Sequence, residues 1–147
     1  MRKTRNDTEF WYCLLIPDEE YAIVDENGHE TGEHVLSYES ATSMYANISP
    51  ASGTAQADLF GNLDNYDKVI VTHDMSCPID ENTVLFVDEE PSYTEVQTHK
   101  ITESETVLGD DEIEIITYQM PKYNYIVRRV AKSLNVISIA ARKVDVS

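Results

Sequence analysis

Basic residues are scarce over most of this 147-residue chain. It contains 11 Lys and Arg against 27 Asp and Glu, which gives a formal net charge of −16. Residues 6–121 hold 26 of the acids but only two bases, Lys68 and Lys100. Such a surface repels phosphate, and its approach to a nucleic acid releases no counterions. The composition therefore argues against sequence-reading DNA binding. It favours a solvated acidic surface, a surface past which a polyanion slides, or one that docks on a basic partner.

Cysteines and long apolar runs are also few. Cys13 and Cys77 are too few and too far apart for a disulfide framework or a CxxC zinc site, so we expect buried thiols in a reducing cytoplasm. No stretch approaches the roughly 20 apolar residues of a membrane helix. The initial "RKTR" is followed by acids rather than by a cleavable apolar segment. These features predict a soluble protein without membrane contact, and the length predicts a single domain over residues 1–147.

Sequence motifs for catalysis, cofactors or metals are missing as well. The acid clusters lack the alternating oxygen ligands and closing Glu of calcium loops. There is no phosphate-binding GxxxxGK[ST] motif and no GxSxG nucleophile motif. The histidines lie in different predicted elements without ligand spacing: His29, His34, His73 and His99. The sequence predicts no catalytic residue, no metal and no cofactor, and a protein that is not an enzyme.

The apolar residues that are present follow the pattern of short strands. "EFWYCLLI" is a continuous aromatic and aliphatic run that stops at Pro17, "SMYANIS" alternates, and "KVIVT" and "TVLFV" are rich in β-branched residues. Asn27 and Gly28 lie between two apolar arms and predict a hairpin turn. We therefore predict a mainly β fold, a small closed or partly open antiparallel barrel. Its strands are expected at residues 9–16, 44–48, 68–72, 83–87, 124–130 and 136–144.

A segment rich in acids and threonine interrupts this pattern at residues 89–120. "EVQTHKIT" and "DEIEIITYQM" both alternate and flank the turn former Gly109. We predict a long acidic hairpin or loop insertion that projects beyond the barrel. Because it buries little apolar surface, neighbouring molecules would be needed to order it.

Several elements in order along the chain carry a family resemblance. They are a strand ending "ISP", a connection ending "FG", "YD" before the next strand, "PIDENT" before another, and a basic strand leading through "SLN" to the last strand. Over residues 45–144, with gaps, this arrangement resembles the head-closure proteins of long-tailed bacteriophages, also called stopper or head–tail connector proteins. Their order and spacing, rather than any single element, carry the likeness.

The resemblance implies a structural virion protein that closes the portal channel after DNA packaging and offers the docking surface for the tail. It implies a homo-oligomeric ring of six or twelve copies, with portal and adaptor proteins on the head side and the tail terminator or tail tube on the tail side. Genomic DNA would pass through without sequence-specific binding. The protein would reside in the neck of the virion, after assembly in the host cytoplasm.

Small residues dominate the connection between two predicted strands at residues 49–61, which we call the small-residue segment. Small side chains allow another backbone to come close, a pair of apolar residues could anchor the segment, and a glycine permits a sharp turn. The candidate subunit or gating contacts are Ser49, Pro50, Gly53, Ala55, Ala57, Leu59, Phe60 and Gly61. The alternative is an ordinary surface connection with one Phe in the core.

Two adjacent arginines, Arg128 and Arg129, stand in the basic strand near the C-terminus. Strict alternation along a strand directs them to opposite faces. They are candidate interface charges, because the basic end of one subunit could meet the acidic middle of its neighbour in a head-to-tail ring. The alternative is a pair of exposed arginines whose ion pairs contribute roughly 0–1 kcal/mol each.

Two other functions fit the same sequence features. A tail terminator, or another ring protein at the tail end, would have similar size and symmetry but a partner in the tail tube. An acidic protein that mimics DNA would instead be a monomer or dimer bound to a basic host factor.

Overall fold

The computed structural model describes residues 7–50, 66–101 and 115–144. Within these ranges the secondary structure is entirely β, with ten strands and no helix. The chain divides into two compact units, the first made of Met1–Leu14, Ser40–Pro91 and Tyr123–Ser147 and the second of Leu15–Glu39 and Ser92–Lys122. The strands are β1 (Thr8–Cys13), β2 (Leu15–Val24), β3 (Glu30–Tyr38), β4 (Thr42–Pro50), β5 (Lys68–Thr72), β6 (Val84–Phe86), β7 (Tyr93–Ile101), β8 (Ile115–Pro121), β9 (Tyr125–Lys132) and β10 (Ile137–Lys143).

The first unit is a closed six-stranded antiparallel barrel in the order β1-β4-β5-β10-β9-β6. This confirms the predicted fold class. Each of the six segments predicted as barrel strands contributes one strand to it. Closure removes the unpaired edges that an open sheet of this size would expose.

The first predicted strand, residues 9–16, is wrong at its end. The barrel strand β1 stops at Cys13, and β2 of the second unit begins at Leu15. Pro17 does not end β2, because the pairing of β2 with β3 is interrupted between Leu15 and Glu20. A proline lacks a backbone N–H and is tolerated where a bulge already breaks the ladder.

The barrel interior is filled by the inward-facing side of each strand. Met44 and Ala46 are buried and Ile48 packs against the same cluster, as the alternation in "SMYANIS" predicts. Full burial of one aliphatic or aromatic side chain stabilises a fold by about 1.5–3 kcal/mol. The buried cluster comprises Phe10, Met44, Ala46, Ile70, Cys77, Ile79, Leu85, Val87, Tyr125, Val127, Ile137, Ile139 and Ala141.

The second unit is a four-stranded antiparallel sheet in the order β3-β2-β7-β8. Its first hairpin, β2–β3, turns at Asn27 and Gly28 as predicted, with Gly28 at φ +79°. The carboxylate of Asp25 accepts hydrogen bonds from the backbone N–H groups of Asn27 at 2.8 Å and His29 at 3.0 Å. A positive φ favours glycine, and the Asp side chain completes the turn.

The second hairpin is formed by β7 and β8, which pair from Tyr93 opposite Pro121 to His99 opposite Ile115. These strands lie within the segment predicted as a hairpin at residues 89–120. The predicted turn at Gly109 lies outside the described residues. The strand β7 also pairs with β2, so the hairpin is part of a sheet rather than a two-stranded insertion. The single domain and the projection beyond the barrel stay predictions.

Tyr118 of β8 joins the two edge strands of this sheet. Its hydroxyl accepts a hydrogen bond from the backbone N–H of Tyr38 at 3.0 Å and donates one to the carbonyl of Leu36 at 3.1 Å. Its ring stacks on Tyr21, with centroids 4.9 Å apart. One side chain thus satisfies two of the outward backbone groups with which an added strand could pair on β3.

Candidate functional site

The small-residue segment begins at one end of the barrel. The strand β4 ends at Pro50, which pairs with Lys68 at the start of β5. Ser49 is half-buried and Pro50 is exposed. The remaining candidates lie outside the described residues, so both readings of the segment stay open: Gly53, Ala55, Ala57, Leu59, Phe60 and Gly61. We call this end of the barrel the Pro50 end.

Antiparallel pairing brings three more strand ends to the Pro50 end. They are the end of β6, the start of β9 and the end of β10, since Tyr125 pairs with both Leu85 and Lys143. The residues gathered there come from five separate parts of the sequence. The barrel closure therefore builds this site, and no local motif does.

An ion pair crosses the opening of the barrel at the Pro50 end. The ammonium group of Lys68 lies 3.2 Å from a carboxylate oxygen of Asp88. Lys68 begins β5 and Asp88 follows β6, and two strands separate β5 from β6 in either direction around the barrel. Asp88 is largely exposed and has a left-handed backbone, with φ +62°. The pair contributes little stability, roughly 0–1 kcal/mol, but it marks the rim.

The side chain of Asn124 holds the chain after β6 against the start of β9. Its Oδ1 accepts a hydrogen bond from the Val87 N–H at 2.9 Å, and its Nδ2 donates to the Val87 carbonyl at 2.7 Å. Nδ2 also donates to the carboxylate of Glu89 at 3.1 Å. Because Val87 is fully buried, the amide replaces the strand partner that its backbone lacks there.

Asp67 secures the neighbouring strands. Its backbone N–H donates to the carbonyl of Ala141 at 2.8 Å, and its carboxylate accepts from the N–H of Lys143 at 2.7 Å. The "YD" element of the sequence thus extends the pairing of β5 and β10 by one step beyond Lys68.

A groove of about 490 Å³ lies at the Pro50 end. Tyr125 lines it with only 6% of its surface exposed, and this burial raises the pKa of its phenol. Within the described residues the Tyr125 hydroxyl has no hydrogen-bond partner, whereas every fully buried side-chain nitrogen or oxygen there has one. The hydroxyl therefore reaches the groove. The lining residues are Val87, Asp88, Glu89, Asn124, Tyr125, Lys143 and Val144.

A β-bulge places Arg128 and Arg129 differently from the strict alternation expected of them. Ala140 pairs with Arg129 and Ala141 with Val127, so Arg128 is an extra residue in β9. Both arginines are exposed. The bulge shifts the period of two, which explains why Val127 and Val130 both pack toward the barrel core. The expectation of opposite faces is therefore wrong.

The bulge belongs to a basic hairpin. Residues 125–143 contain five bases and no acid, although the whole chain carries −16. All five bases are exposed: Arg128, Arg129, Lys132, Arg142 and Lys143. The hairpin β9–β10 is thus a cationic surface on an otherwise acidic protein.

The acids are concentrated in the sequence of the second unit. Residues 15–39 and 92–122 contain 15 acids and two lysines, which gives −13. The barrel unit, with 12 acids and nine bases, carries only −3. The sequence therefore assigns most of the acids to the second unit and most of the bases to the barrel unit.

The opposite end of the barrel exposes apolar loop tips. Leu134, in the turn between β9 and β10, is 89% exposed, and Met75 is 46% exposed. A ring nitrogen of His73 lies 3.2 Å from the carbonyl of Asn135 and links the two loops. These residues carry no polar cluster suited to chemistry.

The described parts of the chain show no group of three His, Cys, Asp or Glu residues placed to hold a metal ion. Residues 7–50, 66–101 and 115–144 also include no helix long and apolar enough to cross a membrane. No protein-family model, curated protein or solved structure matches the chain.

Proposed function

We propose that this protein is a ring-forming virion protein of the head–tail connector, which closes the portal channel after DNA packaging and presents the surface on which the tail docks. Its place would be the neck of the virion, reached by assembly in the host cytoplasm. Its partners would be further copies of itself, portal or adaptor proteins on one side and tail proteins on the other.

One observation carries the proposal: the segments of the family resemblance that lie within the described residues belong to a single closed barrel. "ISP" ends β4, and "YD" directly precedes β5. "PIDENT" leads into β6, and "SLN" joins β9 to β10. These elements therefore fall at three strand junctions of the barrel, which supports a shared architecture rather than a chance match of short sequence elements.

The distribution of charge supports assembly into a ring. The exposed bases of β9–β10 on one subunit can face carboxylates of the next. Such a contact joins two different surfaces, and repetition by a fixed rotation closes a ring. Six or twelve copies would follow from the resemblance.

The small-residue segment is the proposed contact across the channel or between subunits. Enlarging Ala57 to Leu should cost the monomer little but obstruct a close approach of another backbone. A melting curve of the isolated variant, beside an assembly assay of virus particles, checks this. If Ala57→Leu melts normally and still gives filled heads joined to tails, the segment is only a surface connection.

The acidic surface should let DNA pass without retaining it. The isolated protein is expected to show no measurable affinity for duplex DNA even at low salt, where electrostatic binding is strongest. Tight binding in a low-salt mobility assay would contradict a role at the channel.

Virus lacking this protein distinguishes closure from tail termination. Without a closure protein, packaged DNA under pressure leaves the heads while tails of normal length accumulate separately. Without a terminator, the tail tube has no end signal, so tails grow to irregular length and heads stay filled. Filled heads beside overlong tails would move the assignment to the terminator. If virus without this protein forms normal particles and loses only an effect on the host, the result would favour the DNA mimic.

A further inference from the structure

We propose that the groove at the Pro50 end binds the guanidinium group of Arg128 from a second copy of this chain. The inference rests on the proposed ring and specifies its contact. It assigns a receiving site on one subunit and an inserted side chain on the next.

The groove contains a polar group that the fold itself does not use. Tyr125 is 94% buried, yet its hydroxyl has no hydrogen-bond partner within the described residues and points into the groove that it lines. A phenol hydroxyl both donates and accepts hydrogen bonds. It can therefore accept one from a cationic N–H.

Two carboxylates beside Tyr125 have an oxygen to spare. Asp88 uses Oδ2 for Lys68, and Glu89 uses Oε2 for Asn124. In the described part of the structure, no hydrogen bond involves the second oxygen of either group. Two carboxylate oxygens and a hydroxyl suit the five N–H donors of a planar guanidinium better than the single ammonium group of lysine.

The local charge allows one cation to enter. The charged residues that the contacts place at this rim are Asp67, Lys68, Asp88, Glu89 and Lys143, which sum to −1. One arginine brings that sum to zero. A groove of about 490 Å³ also has room for a guanidinium and part of its apolar stem.

The geometry of β9 directs the arginine of one subunit away from its own groove. Tyr125 and Val127 pack in the barrel interior, whereas Arg128 is the exposed extra residue of the bulge. A chain that carries the donor on one surface and the receiving site on another associates head to tail. The contact is therefore between copies.

The test uses the full chain and three variants, Tyr125→Phe, Arg128→Ala and the matched control Arg142→Ala, which removes another exposed base of the same hairpin. Association is measured by sedimentation velocity over a range of concentrations. We expect Tyr125→Phe and Arg128→Ala each to weaken association about tenfold or more, as for a lost hydrogen bond to a charged group. Arg142→Ala should change it less than threefold.

Three further measurements distinguish loss of the contact between subunits from an effect on folding. Tyr125→Phe should melt like wild type, because its hydroxyl bonds to nothing in the described fold. The double variant of Tyr125 and Arg128 should associate no more weakly than either single variant, since both remove one interaction. Mixing the two single variants should give dimers, because each supplies the half that the other lacks.

Failure of the proposed contact can be distinguished from failure of the ring itself. A wild-type chain that assembles while Tyr125→Phe and Arg128→Ala assemble equally well overturns this contact and leaves the ring intact. A wild-type chain that stays monomeric, alone and with the portal complex, overturns both. Equal losses in Arg128→Ala and Arg142→Ala would reduce the effect to general charge and also overturn the proposed site.

Discussion

Replacing Asn124 by Ala should unfold the barrel more easily than any change to an exposed side chain. The substitution removes three hydrogen bonds, two of them to the backbone of the fully buried Val87. An ordinary hydrogen bond contributes about 0.5–1.5 kcal/mol, and an unsatisfied buried group costs about 1–3 kcal/mol. Because water can reach part of the site, we expect a loss of about 2–4 kcal/mol in the free energy of unfolding.

The corresponding fall in Tm is about 4–16 °C for a chain of this size. The assay is thermal and urea unfolding followed by the fluorescence of Trp11, the single tryptophan. Trp11 lies in β1 and pairs with Phe86, directly before Val87, so it reports on the barrel.

Two variants sharpen the measurement. Asn135→Ala is the control, because the bond that Asn135 receives from His73 uses its backbone carbonyl, which alanine keeps. It should change the unfolding free energy by less than about 0.5 kcal/mol. Asn124→Asp keeps the acceptor for the Val87 N–H but loses both donated bonds and adds a charge beside Glu89, so it should be no milder than Asn124→Ala. If Asn124→Ala unfolds within about 0.5 kcal/mol of wild type, our account of this end of the barrel is wrong.

Two predictions concern the four-stranded sheet. Tyr118→Phe should destabilise the sheet by about 1–3 kcal/mol and speed amide exchange at Tyr38, whose N–H loses its acceptor; unchanged exchange would refute the link between the edge strands. Two backbone N–H groups hold the pKa of Asp25 below its ordinary value of 3.8, so its stabilisation is present at neutral pH and is lost as the pH falls through the lowered pKa. Asp25→Asn should therefore unfold more easily than wild type at pH 7, with a difference that disappears in acid; a difference independent of pH in urea titrations would contradict this.

The barrel strands are predictable because their signal is local. Runs such as "KVIVT" combine β-branched residues with flanking turn formers, and residues 68–72 form β5 as predicted. The continuous run "EFWYCLLI" hides a boundary, because it contains no polar residue between Cys13 and Leu15. Apolar content alone cannot show that one half belongs to the barrel and the other to a second sheet.

The groove cannot be predicted from the sequence, because its signal is not local. Lys68, Asp88, Tyr125 and Lys143 are distant in sequence, and only closure of the barrel gathers them. The bulge at Arg128 is similar, because an inserted residue breaks the period of two on which the prediction of opposite faces depended. Neither the groove nor the bulge has a distinctive sequence pattern. Tyr125 and Arg128 resemble ordinary strand residues until the strand register is known.

Native mass spectrometry of the purified full chain, alone and with the portal complex that the proposal requires as its partner, tests the central claim most directly. A connector protein is expected to give a closed oligomer of defined copy number, either by itself at high concentration or on the portal. A chain that remains monomeric or dimeric under both conditions, with no mass added to the portal, would contradict the assignment to a head–tail connector.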